Sequence, residues 1–260
     1  MKENQAWRDF WQRTFASAAS DVEADRLTDQ RDRELDALSH AELLEFVDAH
    51  PGEVVLDAGC GSGGTIVMIH AIVDRIIAID FAESAIQRAT ANVKLAGVTN
   101  AELSVGDISD TQLPERSFDR VICLSVFHYI PDDQVRSCLR SFARLLRPEG
   151  VLVLHVKNLS SPYLATLQIL KSMKRLVGSK RSLAEHFRSF AWYVDELQAA
   201  GFRIAAYNSF NLLVLEGMPG PLVRRLQKLE FRRRTQWPFR LAFLRRHGAD
   251  LKIRAELRAH

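Results

Sequence analysis

The architecture of this chain follows from the sequence Val54-Val-Leu-Asp57-Ala-Gly59-Cys-Gly61-Ser-Gly63-Gly64. Its apolar, β-branched beginning predicts a buried parallel strand that ends near Asp57. The glycines then let the backbone turn tightly and let a ligand approach it closely. The apolar residues that follow predict a helix over 64–74, whose N-terminal N–H groups favour an anionic group. Together these features predict the first half of a nucleotide-binding βαβ unit.

The rest of the core alternates between strands and helices. Strands are predicted at 53–58, 75–80, 101–107, 118–125, 151–156, 203–210 and 249–258, and helices at 64–74, 83–96 and 132–146. This alternation predicts an α/β protein with a Rossmann-like, doubly wound, mostly parallel sheet of seven strands. Ligands of such sheets bind at the carboxyl ends of the strands. Asp57, Asp80, Asp107 and Ser125 all fall at strand ends, so we expect one site there.

The glycine loop is open to two interpretations. Gly59, Gly61 and Gly64 satisfy the dinucleotide pattern G-x-G-x-x-G, and Asp80 follows Gly59 by 21 residues, where a ribose-binding acid belongs. An NAD(P)-dependent oxidoreductase therefore stays open as an alternative. Asp57 favours a different ligand, because a buried carboxylate needs a cationic partner and a pyrophosphate does not supply one. A ligand that carries an ammonium group does.

The sequence Asp-x-Gly-x-Gly-x-Gly that starts at Asp57 resembles motif I of the class I methyltransferases that depend on S-adenosylmethionine (SAM). The resemblance covers roughly residues 50–160 and, more loosely, 187–215. It implies that SAM is the cofactor, that S-adenosylhomocysteine (SAH) is the product, and that no catalytic metal takes part. The residues that it places around the methionine end of SAM are Asp57, Gly59, Cys60, Gly61 and Gly63.

The same resemblance assigns the adenosine end of SAM to residues at the next two strand ends. It implies that Asp80 binds both ribose hydroxyls through charge-assisted hydrogen bonds and that Phe81 packs on the adenine. It also implies that Asp107 accepts the adenine amino group and that Ile108 lies against the ring. Simpler roles stay open: Asp80 as a helix cap, Asp107 as a turn residue and Phe81 as part of the core.

The fourth strand leads to the candidate reaction site. Leu124 and Ser125 resemble the segment whose backbone meets the methionine portion, and His128 follows at the mouth of the expected cleft. The ordinary pKa of a histidine, about 6.5, suits a general base, and a packing or surface role for His128 is equally open. We expect methyl transfer to a small-molecule, natural-product or glycan-like acceptor, with oxygen as the favoured atom and His128 as the base. A non-catalytic SAM-binding or membrane-associated module is the remaining alternative.

The motifs divide the chain into four predicted segments. Residues 1–50 form an N-terminal helical lid, residues 51–216 the SAM-binding core with a helical insertion at 159–190, residues 217–248 a basic helical insertion, and residues 249–260 the last strand of the core sheet. The first helix carries an aromatic stripe made of Trp7, Phe10, Trp11 and Phe15. Two interpretations of this stripe stay open, namely packing in a core and closure over the cleft.

Composition indicates an ordinary globular protein. The chain has 260 residues, of which 47% are hydrophobic and 26% are charged. Three cysteines without CxxC spacing predict reduced thiols in a cytoplasmic protein. The first residues lack the apolar region of a signal peptide, and no apolar run approaches the ~20 residues of a membrane helix.

The C-terminal part of the chain is basic. Residues 221–260 hold 12 Lys and Arg against 3 acidic residues, and the rest of the chain is net acidic. Three interpretations stay open: a helical hairpin with a solvated basic face, a peripheral membrane contact, and attraction of an anionic or lipid-linked acceptor. We do not expect nucleic acid as a partner, because no recognised module for it is visible.

Overall fold

The computed structural model of the protein describes residues 2–17, 33–176, 185–212, 218–233 and 246–258. Within these ranges the helices are α1 (Lys2–Ser17), α2 (Arg33–Val47), α3 (Gly64–Ile69), α4 (Glu83–Leu95), α5 (Asp132–Leu145), α6 (Pro162–Leu176), α7 (Phe190–Ala199) and α8 (Gly220–Arg233). The strands are β1 (Val54–Ala58), β2 (Arg75–Asp80), β3 (Ala101–Val105), β4 (Phe118–Leu124), β5 (Leu146–Lys157), β6 (Phe202–Phe210) and β7 (Asp250–Leu257).

The seven strands form one sheet in the order β3-β2-β1-β4-β5-β7-β6. The strands from β3 to β5 pair in parallel, and β7 runs antiparallel to both β5 and β6. The predicted α/β class with a mostly parallel seven-stranded sheet is therefore confirmed. The strand order reverses between β1 and β4, and this reversal opens a crevice at the carboxyl ends of the strands.

Helices cover both faces of the sheet. One buried apolar cluster includes Phe142 of α5 and Tyr193 of α7, and the other includes Val47 of α2 and Ile66 of α3. Because both faces are covered, the central strands are almost continuously apolar, and Val121 and Ile122 of β4 are both fully buried. This packing fixes the strand ends that border the crevice.

Two helices differ from their predicted bounds. The helix predicted over 64–74 ends at Ile69, because the Asn100 side chain donates hydrogen bonds of 2.9 Å to the carbonyls of His70 and Val73 and holds a turn there. The sequence Ser39-His-Ala-Glu42 fits a capping box and predicts a helix over Ala41–Ala49. The observed helix runs from Arg33 to Val47, so Ser39 lies inside it and the predicted start is wrong.

Helix α1 lies against the N-terminal end of α4. The hydroxyl of Ser84 donates to the carbonyl of Gln12 at 2.9 Å, and the Gln12 side-chain oxygen accepts the Ser84 N–H at 3.3 Å. A side chain from α1 thus satisfies a backbone donor that the start of α4 leaves unpaired. Through this contact α1 is positioned beside the carboxyl ends of β1 and β2.

The basic helix α8 packs between α2 and the end of β6. Lys228 lies 3.0 Å from Glu34 of α2, and Arg232 also pairs with Glu34. The rings of Phe210 and Phe231 stack with centroids 4.7 Å apart. Part of the basic face is thus paired with α2. The apolar residues that follow α8 in the sequence, from Trp237 to Leu244, lie outside the described residues.

Asn158, which is fully buried, joins the end of β5 to the start of β7. Its side-chain amide donates to the carbonyls of Arg246 and Gly248 at 2.8 and 2.9 Å. Its backbone N–H donates to the carbonyl of Ala249 at 2.9 Å.

In the part of the chain that the structure describes, none of the helices has the length and apolarity needed to cross a bilayer.

Candidate functional site

A cleft of about 330 Å³ opens at the carboxyl ends of the central strands, where the strand order reverses. It brings together ten of the predicted site residues: Asp57, Gly59, Cys60, Gly61, Asp80, Phe81, Asp107, Ile108, Leu124 and Ser125. The cleft is also lined by residues of α1 and of the segment after β4, among them Trp7, Arg8, Trp11, Phe15, Val126, Tyr129, Ile130, Gln134 and Cys138. Gly63 and His128 are predicted site residues that do not line it.

Asp57 stands at the floor of the cleft and is 2% exposed. Its Oδ2 atom is buried without a hydrogen-bond partner among the described residues. Burial, reinforced by the nearby charge of Asp80, raises the pKa of Asp57 to about 7. A buried carboxylate with an unused acceptor atom suits a cationic ligand, such as the ammonium group of an amino acid.

Asp80, at the end of β2, is fixed by two backbone amides. Its Oδ2 accepts the N–H of Gly61 at 3.0 Å, and its Oδ1 accepts the N–H of Ala82 at 2.9 Å. Burial raises the pKa of Asp80, and the amide bonds partly offset that rise. The carboxylate therefore faces the cleft in a defined orientation, which suits the vicinal hydroxyls of a ribose.

Two glycines of the loop between β1 and α3 serve different purposes. Gly59 has a φ of +82°, and a Cβ added to it would lie 2.5 Å from Cγ2 of Val126. Gly63 has a φ of +84°, and its Cβ would lie 3.2 Å from Cβ of Ala89 on α4. Gly59 thus keeps the cleft wall close-packed, whereas Gly63 lets α3 approach α4.

The far end of the cleft is closed by an ion pair between α1 and the loop after β3. Asp107 accepts the backbone N–H and the hydroxyl of Ser109 on one oxygen, at 2.9 and 2.6 Å, and pairs with Arg8 through the other. Burial opposes ionisation, but the Ser109 bonds and the Arg8 charge hold the pKa of Asp107 below its usual value. The Arg8 guanidinium lies 5.2 Å from the centroid of the Phe81 ring.

Aromatic side chains of α1 form one wall of the cleft. The ring centroids of Trp7 and Trp11 lie 4.6 and 5.2 Å from that of Tyr129, and Phe15 stacks on Trp11 at 5.6 Å. Phe10 is 39% exposed and is not part of the lining. Burial raises the pKa of Tyr129 to about 12, so its hydroxyl stays protonated and acts as a donor near neutral pH.

His128 is the predicted catalytic residue, and the structure does not bring it to the cleft. The turn after β4 gives Val126 and Tyr129 to the cleft lining and directs Phe127 and His128 into the protein, where His128 is 2% exposed. Burial, reinforced by the charge of Lys157, lowers the pKa of His128 to about 3. A ring that resists protonation in this way is poorly suited to act as a general base.

Arg8 and Tyr129 are among the lining residues that the sequence does not assign to the site. Arg8 was not singled out, because its partner Asp107 lies 99 positions along the chain and no local pattern links them. The sequence favours a position in the core for Tyr129, whereas its side chain borders the cleft. Its place directly after the fourth strand was the available signal, because that position faces the crevice in a doubly wound sheet.

Comparisons with known proteins bear on this arrangement. Residues 55–150 match the family model described as a methyltransferase domain. Nocamycin O-methyltransferase from Saccharothrix syringae is 32% identical over 111 residues, which are 42% of this chain and 39% of that protein. The chain covers less than half the length of the first curated relatives that it matches.

Solved structures share the fold at low sequence identity. Phosphoethanolamine N-methyltransferase 1 of Haemonchus contortus, in complex with phosphoethanolamine and SAH, aligns with a TM-score of 0.67 and 18% identity, over 99% of this chain and 49% of that chain. The YcgJ protein of Bacillus subtilis aligns with a TM-score of 0.58 and 17% identity, over 85% and 99% of the two chains. At these identities the likeness shows the fold.

Proposed function

We propose that the protein transfers the methyl group of SAM to an oxygen atom of a small-molecule, natural-product or glycan-like acceptor. The premise is that residues 55–150 carry a class I SAM-dependent methyltransferase domain. The predictions of the family and of its cofactor are thereby confirmed for the domain. The observation that carries the proposal is the buried Asp57, whose free acceptor atom at the glycine loop suits the ammonium group of SAM.

The residues of the cleft suit SAM along its whole length. Asp57 and the loop from Gly59 to Gly61 would hold the amino-acid end, with the backbone of Leu124 and Ser125 facing the same end across the crevice. Asp80 would accept both ribose hydroxyls, because its carboxylate is already oriented by two amides. Phe81, Asp107 and Ile108 border the end where adenine would lie.

The aromatic wall supports an acceptor with a planar or apolar face. Trp7, Trp11 and Tyr129 provide ring surfaces for stacking, and their offset and edge contacts leave them well ordered. Few charged side chains line this part of the cleft among the described residues. Transfer to oxygen is supported by the likeness to nocamycin O-methyltransferase, a protein named for that chemistry.

The residues of this chain act by positioning and by excluding water. SAM supplies a methyl group that is already activated on a sulfonium, so the protein has to align the acceptor oxygen in line with that methyl group. The α1 wall shields the cleft from solvent, which strengthens the electrostatic contacts inside. The Tyr129 hydroxyl stays a donor near neutral pH and is available to orient the acceptor.

Calorimetric titration of the full chain with SAM, SAH, NADH and NADPH tests the cofactor assignment. We expect micromolar binding of SAM and SAH, no binding of the nicotinamides, and loss of SAH binding in Asp80→Asn. Asp74→Asn is the matched control, because Asp74 precedes β2 on the exposed side, away from the cleft. Tight NADPH binding without SAM binding would contradict the proposal.

A second experiment tests the transfer. The protein is incubated with methyl-labelled SAM and a panel of acceptors: catechol, 4-nitrophenol, a methyl glycoside and phosphoethanolamine. We expect label on an oxygen acceptor and release of SAH in equal amount. Binding of SAM without transfer to any acceptor would instead support a non-catalytic SAM-binding protein, and transfer only to phosphoethanolamine would place the reaction at nitrogen.

A further inference from the structure

Three polar side chains form a line that runs from the cleft wall into the sheet. Oγ of Ser125, at the end of β4, lies 2.9 Å from Nδ1 of His155 on β5. Nε2 of His155 lies 3.4 Å from Oδ1 of Asp250, the first residue of β7. Ser125 lines the cleft, whereas the side chains of His155 and Asp250 lie behind it and are 24% and 13% exposed. The line therefore connects the cleft with a buried carboxylate.

The backbone at Ser125 holds its hydroxyl in this position. Its φ is +61°, a left-handed conformation that residues other than glycine adopt rarely. The Ser125 N–H donates to the carbonyl of His155 at 2.8 Å, so both the backbone and the side chain of Ser125 face the same histidine. Strained positions of this kind concentrate at functional sites.

The partners of Asp250 define where the protons lie. In addition to its 3.4 Å contact with His155, Asp250 accepts hydrogen bonds from Lys157 at 2.5 Å and from the amide of Asn211. Burial opposes its ionisation, but His155 and Lys157 outweigh that effect and lower the pKa of Asp250 well below its usual range. An ionised carboxylate can only accept hydrogen bonds. A neutral His155 therefore carries its proton on Nε2, towards Asp250, and its Nδ1 accepts the Ser125 hydroxyl.

We infer that Ser125, His155 and Asp250 form a proton relay that takes the proton of the methyl acceptor. Ser125 is the catalytic residue, because its hydroxyl faces the cleft, and His155 and Asp250 are positioning residues behind it. The inference rests on the proposed function. It assigns to His155 the proton that the sequence had assigned to His128.

Each proton and electron pair that moves in the transfer has a defined destination. The acceptor hydroxyl passes its proton to Oγ of Ser125 while the Ser125 hydroxyl proton passes to Nδ1 of His155. The acceptor oxygen bonds to the methyl carbon, and the bond from that carbon to sulfur breaks and leaves its electron pair on sulfur. The positive charge lost from sulfur reappears on the imidazolium of His155, opposite the Asp250 carboxylate. A phenol ionises at about pH 10, and general-base help is worth about 10²–10⁴-fold in rate.

Four charged or titratable groups among the described residues lie beside His155. Asp250 on β7 favours the protonated ring, and Lys157 on β5 opposes it. Lys252, which lies opposite His155 where β7 pairs with β5, is itself paired with Glu42. His128 from the turn after β4 stays neutral because burial lowers its pKa to about 3. Asp250→Asn and Lys157→Gln therefore have opposite effects on the ring. Both variants remove the ion pair between Lys157 and Asp250, whereas only Asp250→Asn also changes the group that faces His155. Lys157→Gln is therefore the control for loss of the ion pair.

The first test reads the tautomer of the neutral His155 ring by nitrogen NMR in the full-length protein without SAM. We expect the tautomer protonated on Nε2 in wild type and in Lys157→Gln, and a mixture of both tautomers in Asp250→Asn. Equal tautomer populations in wild type and Asp250→Asn would overturn the relay, because Asp250 would then have no influence on the ring.

The second test is kinetic and uses catechol and 4-nitrophenol as acceptors. Ser125→Gly removes the hydroxyl and suits the positive φ, so the fold is retained. With catechol we expect kcat to fall about 100-fold in Ser125→Gly and Asp250→Asn, while the Kd for SAH stays within about twofold and Lys157→Gln keeps wild-type kcat. The loss should shrink with 4-nitrophenol above neutral pH, because that acceptor is already ionised.

The outcomes distinguish failure of the proposed function from failure of the relay. If the wild type transfers no methyl group to any acceptor of the panel, the proposed function fails and the relay fails with it. If the wild type is active and both relay variants keep its kcat and its pH profile, the relay alone is overturned. A parallel fall of kcat in Lys157→Gln would also overturn it, because the effect would then follow the ion pair.

Discussion

The two ends of the cleft are assembled in different ways. The end that suits SAM takes most of its side chains from the ends of β1, β2 and β3, between Asp57 and Ile108, and Arg8 of α1 closes it through Asp107. The end proposed for the acceptor combines α1 with the ends of β4 and β5 and the start of β7, so its residues range from Trp7 to Asp250. Local sequence motifs thus mark most of the first end, whereas the second exists only once distant parts of the chain have packed together.

Asp57→Asn gives the largest expected effect at the SAM end. The variant removes the carboxylate that we propose as the partner of the SAM ammonium, and we expect calorimetry to show SAH affinity reduced about 100-fold or more, since hydrogen bonds to charged groups contribute about 1.5–3 kcal/mol each. The same variant should raise Tm at neutral pH by about 2 °C or more, because it removes a buried carboxylate that lacks a partner.

Asp119→Asn is the matched control for that experiment. Asp119 accepts the N–H of Val54 at 2.8 Å and pairs with Arg147 at 2.6 Å, so its loss should lower Tm and leave SAH affinity unchanged. A fall in both Tm and affinity in Asp57→Asn would mean that Asp57 is a structural residue of the sheet.

The pH dependence of SAM binding gives the next largest effect. Since the pKa of Asp57 is raised to about 7, the ligand-free carboxyl is protonated below that pH and must lose its proton before it can pair with an ammonium. SAH affinity should therefore fall about tenfold between pH 7 and pH 5.5. The free protein binds this proton more tightly than the unfolded chain, so the Asp57 contribution to stability should be present below about pH 4 and lost as pH rises through 7.

Calorimetry and thermal unfolding at several pH values check both signs. An affinity that is constant across this range in the wild type, or one that changes equally in Asp57→Asn, would contradict the role of Asp57. The comparison between the two ends would then lose its best-defined residue.

Trp11→Ala tests the acceptor end and has a smaller expected effect. Aromatic contacts contribute about 0.5–1.5 kcal/mol beyond their buried area, so we expect the acceptor KM to rise up to about tenfold, with SAH affinity changed less. Phe10→Ala is the control, because Phe10 lies on the same helix and touches Trp11 but does not line the cleft. Equal effects of the two substitutions would indicate that α1 acts only through its stability.

The smallest effect separates the two glycines of the loop. Gly63→Ala introduces a side chain at a φ of +84° and 3.2 Å from Ala89, and we expect it to destabilise the fold by about 1–2 kcal/mol while SAH affinity is retained. Gly59→Ala should lower both stability and affinity, because its Cβ would lie 2.5 Å from Val126 in the cleft wall. Denaturant unfolding and calorimetry distinguish them, and loss of SAH affinity in a folded Gly63→Ala protein would count against this division.

Each residue that the sequence assigns to the SAM end has a local signal. Asp57 and Asp80 each end a strand whose apolar pattern is visible without knowledge of the fold, and the glycines between them mark the turn. Gly63 lies in the motif, but in the structure it packs against Ala89 and does not line the cleft. A motif records spacing, and helix packing and ligand contact can require the same glycine spacing.

The acceptor end could not be predicted from local patterns. His128 occupied a plausible position, but the turn after β4 decides which of its side chains face the cleft, and that turn is set by tertiary packing. The sequence favours a buried, hydrogen-bonded position within a strand for His155. Nothing in its neighbouring residues along the chain indicates that Ser125 and Asp250 lie beside it. Contacts between residues so far apart become visible only when the strand order is known.

The hydrogen bonds of Asn158 have a consequence for protein engineering. They attach residues 246–249 to the end of β5, beside the pairing of Lys157 with Asp250 where β7 begins. A reporter or tag fused close to residue 246 would have to leave these three bonds intact, because they hold the first residues of the last strand next to β5.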